Sequence, residues 1–130
     1  MTRPLLVLLV AAALTGCGGG EDEPERRALS TEQACDRAEQ VTDAYRDSLR
    51  TAGDAQEARA VIDRTVSGLR DIEAPPPVAE RVDGLADALA ALLTSVEAGA
   101  PPAELQPKAA AVGTSTAALA QTCGRTGGSP

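Results

Sequence analysis

Residues 78–96 read VAERVDGLADALAALLTSV, and their apolar positions decide the fold. Val78, Val82, Leu85, Leu89, Leu92 and Val96 recur at alternating spacings of four and three. This is the rhythm of an α-helix with one apolar seam, sustained over nearly three heptads. Pro75-Pro76-Pro77 stands before the stretch, and Gly99 followed by Pro101-Pro102 stands after it. Both are helix boundaries, because proline cannot extend a helix that precedes it and glycine commonly ends one.

The same period continues on either side. Upstream, Ala58, Ile62, Val66, Leu69 and Ile72 form a second helical face. Asp54 is placed to cap that helix, with Glu57 three positions on, and the triple proline stops it. Gly53 suits a C′ position with positive φ at the end of a still earlier helix. That first helix opens with Ser30-Thr31-Glu32-Gln33, which reads as a capping box with Ser30 as N-cap and Gln33 at N3. Leu29 is placed as its hydrophobic staple, and Ala38, Val41, Tyr45, Ser48, Leu49 and Ala52 share its face. Downstream, Leu105, Ala109, Val112, Thr116, Leu119 and Cys123 mark a fourth helix. Pro107 conflicts with it, so either the helix starts near Pro107 as N1 or residues 102–106 form a separate turn.

Four helices joined by loops of a few residues must run antiparallel to their sequence neighbours. The expected fold class is therefore all-α, an up-down-up-down four-helix bundle over residues 30–124. The alternative is a three-helix core with a loosely docked fourth helix, since that helix is rich in Ala, Ser, Thr and Gly. After residue 16 the chain has nine Leu, seven Val and two Ile, so Ala must fill most other inward positions. Such helices are expected to pack closely and to leave little cavity.

The N-terminus reads MTRPLLVLLVAAALTGC. Arg3 precedes an apolar run from Leu5 to Leu14, which is far short of the ~20 residues a bilayer-spanning helix needs. The run has the length of a secretory h-region. It ends in Leu14-Thr15-Gly16-Cys17, which resembles the lipobox of bacterial lipoproteins at all four positions. The resemblance implies diacylglyceryl transfer to the Cys17 thiol and cleavage between Gly16 and Cys17. Residues 1–16 are then the signal peptide. Residues 17–29, with Gly18-Gly19-Gly20 and an acidic run, are a flexible tether that holds the domain off the membrane. Residues 125–130 form a disordered tail. The expected location is the extracytoplasmic face of the cell membrane, held there by acyl chains that each contribute ~0.8 kcal/mol per buried CH₂.

Lipidation of Cys17 leaves Cys35 and Cys123 as an even pair in an exported chain, where disulfides persist. Cys35 falls in the first turn of the first helix and Cys123 in the last turn of the fourth. An up-down-up-down bundle brings those two ends together, so a Cys35–Cys123 disulfide is expected. In the chain-entropy model such a loop contributes roughly 4–5 kcal/mol. The high Ala, Arg, Gly and Pro content, the single Lys and this pairing are similar to small Ala-rich helical lipoproteins of actinobacteria. That resemblance implies an anchor and a helical domain and names no activity.

Composition excludes much chemistry. The chain of 130 residues has no His, Trp or Phe and one Tyr, and it carries 19 acidic against 12 basic side chains. Imidazole-based catalysis, imidazole metal ligation and aromatic stacking on bases are thereby removed, and a net charge of −7 argues against nucleic acid. Glu32, Asp36, Glu39, Asp43 and Asp47 share one face of the first helix. Arg46 and Arg50 stand three residues beyond Asp43 and Asp47, so the stripe reads as a solvated, partly paired face. Calcium needs oxygens that converge from loops, so no metal site and no cofactor are expected. No catalytic residue is assigned and the protein is read as a non-enzyme. Two roles follow: docking of a protein partner or envelope structure, or, alternatively, carriage or sensing of a small ligand in an apolar interhelical pocket. Cavity volume separates them, because a ligand site needs ~300–1,000 Å³.

Overall fold

The computed structural model describes residues 28–124. Leu14-Thr15-Gly16-Cys17, the tether as far as Arg27 and the tail 125–130 lie outside the described residues. Four helices follow one another: α1 (Thr31–Thr51), α2 (Ala55–Arg70), α3 (Pro76–Glu97) and α4 (Pro102–Thr122). They form the expected all-α bundle.

Local chemistry sets most helix boundaries. Ser30 Oγ accepts from the Gln33 N–H at 3.1 Å while the Ser30 N–H donates to Gln33 Oε1 at 3.0 Å, which completes the capping box of α1. Leu29 packs against the core, and its N–H donates to the Glu73 carbonyl at 2.9 Å. Asp54 Oδ1 accepts from the Glu57 N–H at 2.8 Å, and the Glu57 carboxylate accepts from the Gly53 N–H at 2.6 Å. Gly53 does not take the positive φ expected of it, because α1 leaves through an extended Ala52 (φ −62°, ψ 121°) and turns directly into the next cap. Among the described residues the left-handed glycines are Gly99 (φ 71°) and Gly124 (φ 69°). At Gly99 the Ala100 N–H reaches the Ser95 carbonyl and the Gly99 N–H reaches that of Val96, the paired bonds of a Schellman ending.

The triple proline both stops α2 and starts α3. Pro75 is the N-cap of α3, and Pro76 and Pro77 occupy its first two positions, where a backbone N–H would have no helical partner. Pro107 departs from both expectations, because α4 runs unbroken from Pro102 with Pro107 inside it. The helix tolerates it because the carbonyl that loses its donor belongs to Ala103, an exposed residue of the first turn.

Packing is graded along the bundle. Leu69, Val78, Val82, Leu85 and Leu89 are fully buried, and Ala34, Ala38 and Ala86 bring the helices close around them. Ala34, Ala38, Leu69, Val78 and Val82 lie at the end formed by the starts of α1 and α3 and the close of α2, while Leu85, Ala86 and Leu89 lie halfway along α3. Past Ala38, α1 buries no residue fully, and Val41, Tyr45, Ser48 and Leu49 are half-buried. On α4 only Val112 and Leu119 are buried. Consecutive helices pack against each other, and α3 and α4 form the most intimate pair. Between α1 and α4, however, no two Cα atoms come within 8 Å. The expected uniformly tight core is therefore corrected: the bundle is open on its α1–α4 side. The alternative of a loosely docked fourth helix does not hold, since α4 lies firmly on α3, where its small side chains permit close approach.

Candidate functional site

Cys35 and Cys123 are disulfide-bonded, with Cα atoms 5.7 Å apart. Cys123 is the C-cap of α4 rather than a residue of its last turn. The bridge ties the first helix to the last at the tightly packed end. From there the two helices part, and the gap between them is a cleft of ≈ 390 Å³.

Each helix contributes a different surface to it. Beneath it lie Leu85 and Leu89 of α3 and Thr65 of α2, all buried. The α4 wall is made of Val112, Gly113, Thr116, Ala117 and Ala120, none larger than valine. The α1 wall is Thr42, Tyr45 and Arg46. The threonines add little polarity. Thr65 Oγ1 donates to the Val61 carbonyl at 2.8 Å, Thr116 to Val112 at 2.8 Å and Thr42 to Glu39 at 3.0 Å. With each hydroxyl proton bound to its own helix, the cleft is lined mainly by hydrocarbon.

Tyr45 and Arg46 are the exceptions. The Tyr45 ring is half-buried, and burial pushes its hydroxyl above the ordinary value of 10.0, so it is a neutral donor at physiological pH. Its hydroxyl has no hydrogen-bond partner among the described residues. Tyr45 also borders a second depression of ≈ 220 Å³ between α1 and α2, lined in part by Val41, Val61 and Arg64. The ring thus stands between two openings. Arg46 pairs with Asp43 at 3.1 Å on the same helix, and both side chains are more than half exposed.

The acidic face of α1 is placed as the sequence reading expects. Glu32, Asp36, Glu39, Asp43 and Asp47 are all exposed, and Arg50 meets Asp47 at 3.5 Å. Among the described residues no group of acidic or sulfur side chains is arranged to hold a metal ion. Nor, among them, is any helix long and apolar enough to cross a membrane.

Sequence reasoning carried an apolar interhelical pocket only as its alternative and did not place it between α1 and α4, though a signal was present. The seam of α4 carries Ala109, Thr116 and small neighbours at the level where α1 offers Tyr45, Ser48 and Leu49. One ring cannot fill the space that such small partners leave. No protein-family model, curated protein or solved structure matches the chain.

Proposed function

We propose that the protein is a lipid-anchored, extracytoplasmic carrier or sensor that holds a small apolar ligand between α1 and α4. The cleft carries this reading. Its volume of ≈ 390 Å³ lies within the ~300–1,000 Å³ range of ligand pockets, and its lining is mainly aliphatic with one phenol and one guanidinium. A module that only docks a protein partner or shapes the envelope has no need of a ligand-sized opening between its terminal helices. The role is non-enzymatic in this reading, since the lining offers no carboxylate or thiol to move protons. The anchor rests on Leu14-Thr15-Gly16-Cys17, and the Cys35–Cys123 bridge supports export, since such bonds are rare in reducing compartments.

The cleft is tested by titrating a fluorescent apolar probe, phenylnaphthylamine, into the full chain carrying Cys17→Ala. Saturable binding of one probe per chain is expected. Gly113→Leu should abolish it by filling the cleft, with the melting temperature unchanged or raised, because a Cβ at Gly113 meets nothing within 4 Å. Binding that Gly113→Leu leaves intact would place the probe elsewhere and overturn the reading. The anchor is tested by metabolic labelling with a clickable fatty acid, which Cys17→Ala should eliminate.

A further inference from the structure

We infer that the ligand is a free aliphatic carboxylate, a single-chain anionic amphipath whose chain lies between Tyr45 and the small residues Ala117 and Ala120 and whose carboxylate meets Arg46. The inference rests on the cleft being a ligand site and adds the chemical class of its occupant.

Charge placement is the leading observation. The chain carries 19 acidic and 12 basic residues, yet among the described residues the one charged side chain lining the cleft is Arg46. The depression on the other side of Tyr45 repeats the pattern, with Arg64 as its charged lining residue among them. A site for a cation or a neutral ligand gains nothing from this reversal of the protein's overall sign. A carboxylate gains a guanidinium partner while the surrounding acidic surface repels anions that lack a chain to bury.

The Arg46–Asp43 pair does not stand in the way. At 53% and 57% exposure the pair is screened by water, and such surface pairs contribute little. Arg46 can therefore exchange Asp43 for a ligand carboxylate at small cost. Tyr45 supplies a second donor in the same lining, with a hydroxyl that has no partner among the described residues. A guanidinium and a phenol both donate, which suits an acceptor-only head group.

Shape supports one chain. The α4 wall runs from Val112 to Ala120, roughly 12 Å of helix at 1.5 Å per residue. The volume lies near the lower end of the ligand range, so two chains do not fit. The accessible apolar lining is Ala117, Ala120 and the Tyr45 ring, which offers an occupant few polar partners.

The test is isothermal titration calorimetry on the full chain carrying Cys17→Ala, below micelle-forming concentrations. Dodecanoate, dodecanol and dodecyltrimethylammonium share one chain and differ in head-group charge. Dodecanoate should bind about two- to fivefold tighter than dodecanol, the scale of one half-exposed ion pair, and the cation weakest. Arg46→Gln should remove the advantage of dodecanoate while leaving dodecanol affinity unchanged. Asp43→Asn should strengthen dodecanoate binding by releasing Arg46. Equal affinity for dodecanoate and dodecanol, or an Arg46→Gln variant that still prefers dodecanoate, would overturn the carboxylate assignment while the cleft reading stands. Failure of all three to bind saturably would overturn both.

Discussion

Cys35 and Cys123 stand 5.7 Å apart, Cα to Cα, across a sequence separation of 88 residues. Elsewhere α1 and α4 keep their Cα atoms more than 8 Å apart. One covalent bond therefore holds shut the side of the bundle that packing leaves open, and it sits at the closed end of the cleft.

Removing that bond should have a large and directional effect. Loop closure of this length contributes about 4–5 kcal/mol in the chain-entropy model, a sizeable part of the ~5–15 kcal/mol of an ordinary domain. Replacing both Cys35 and Cys123 with Ser should lower the urea midpoint accordingly. Hydrogen exchange should rise first in α1, whose buried residues are only Ala34, Cys35 and Ala38. An unchanged midpoint would mean that packing alone holds the first helix.

Tyr45 is the only aromatic residue in the chain, so its titration can be followed directly by near-ultraviolet absorbance. Burial raises its pKa above 10.0 in the folded state. The folded protein then keeps its proton where the unfolded chain has lost it. Stability from this residue is complete below pH 10 and declines as pH rises through the folded value. The absorbance midpoint should be higher in buffer than in concentrated denaturant, and Tyr45→Leu should remove the alkaline decline.

Two glycines should respond with opposite signs to the same substitution. Gly113 lies in α4 with open space where an alanine methyl would stand, so Gly113→Ala should stabilise by about 1 kcal/mol through helix propensity. Gly99 has φ 71°, a conformation that a Cβ disfavours by roughly 1–2 kcal/mol, so Gly99→Ala should destabilise. Paired urea titrations of the two variants check the contrast.

Pro107 offers a third stability test. An interior proline deprives the helix of one hydrogen bond and crowds the preceding turn, at a cost of up to about 3 kcal/mol. Part of that is offset by the smaller entropy of the unfolded chain. Pro107→Ala should raise the unfolding free energy by about 1–2 kcal/mol and increase helical circular dichroism slightly. A loss of stability would show that the proline ring packs usefully.

Helix identity is legible in the sequence because it is a local matter. The capping box at Ser30 and Gln33, the Asp54 cap and the seam from Val78 to Leu89 each depend on residues within one or two turns, and each stands where the spacing places it. The disulfide is legible because antiparallel topology leaves one way to join the ends of α1 and α4. Gly53 misleads because a cap signal on the following residue allows α1 to end in an extended conformation. Pro107 is ambiguous because the cost of an interior proline depends on whether its orphaned carbonyl meets water, and that depends on which side of the bundle it faces.

The sequence by itself determined four helices, their antiparallel order, the pairing of Cys35 with Cys123 and an acidic, solvated face on α1. These follow from periodicity, capping and loop length, which are properties of neighbouring residues. Only the tertiary structure decided that α1 and α4 stand apart, that Tyr45 divides two openings and that Arg46 is the charge lining the cleft. The reason is volumetric. Whether two apolar seams meet depends on how the side chains of all four helices share the space between them. With Ala34 and Ala38 drawing the helices together at one end and Tyr45 opposite Gly113 and Ala117 farther along, that space closes at the disulfide and stays open beyond it.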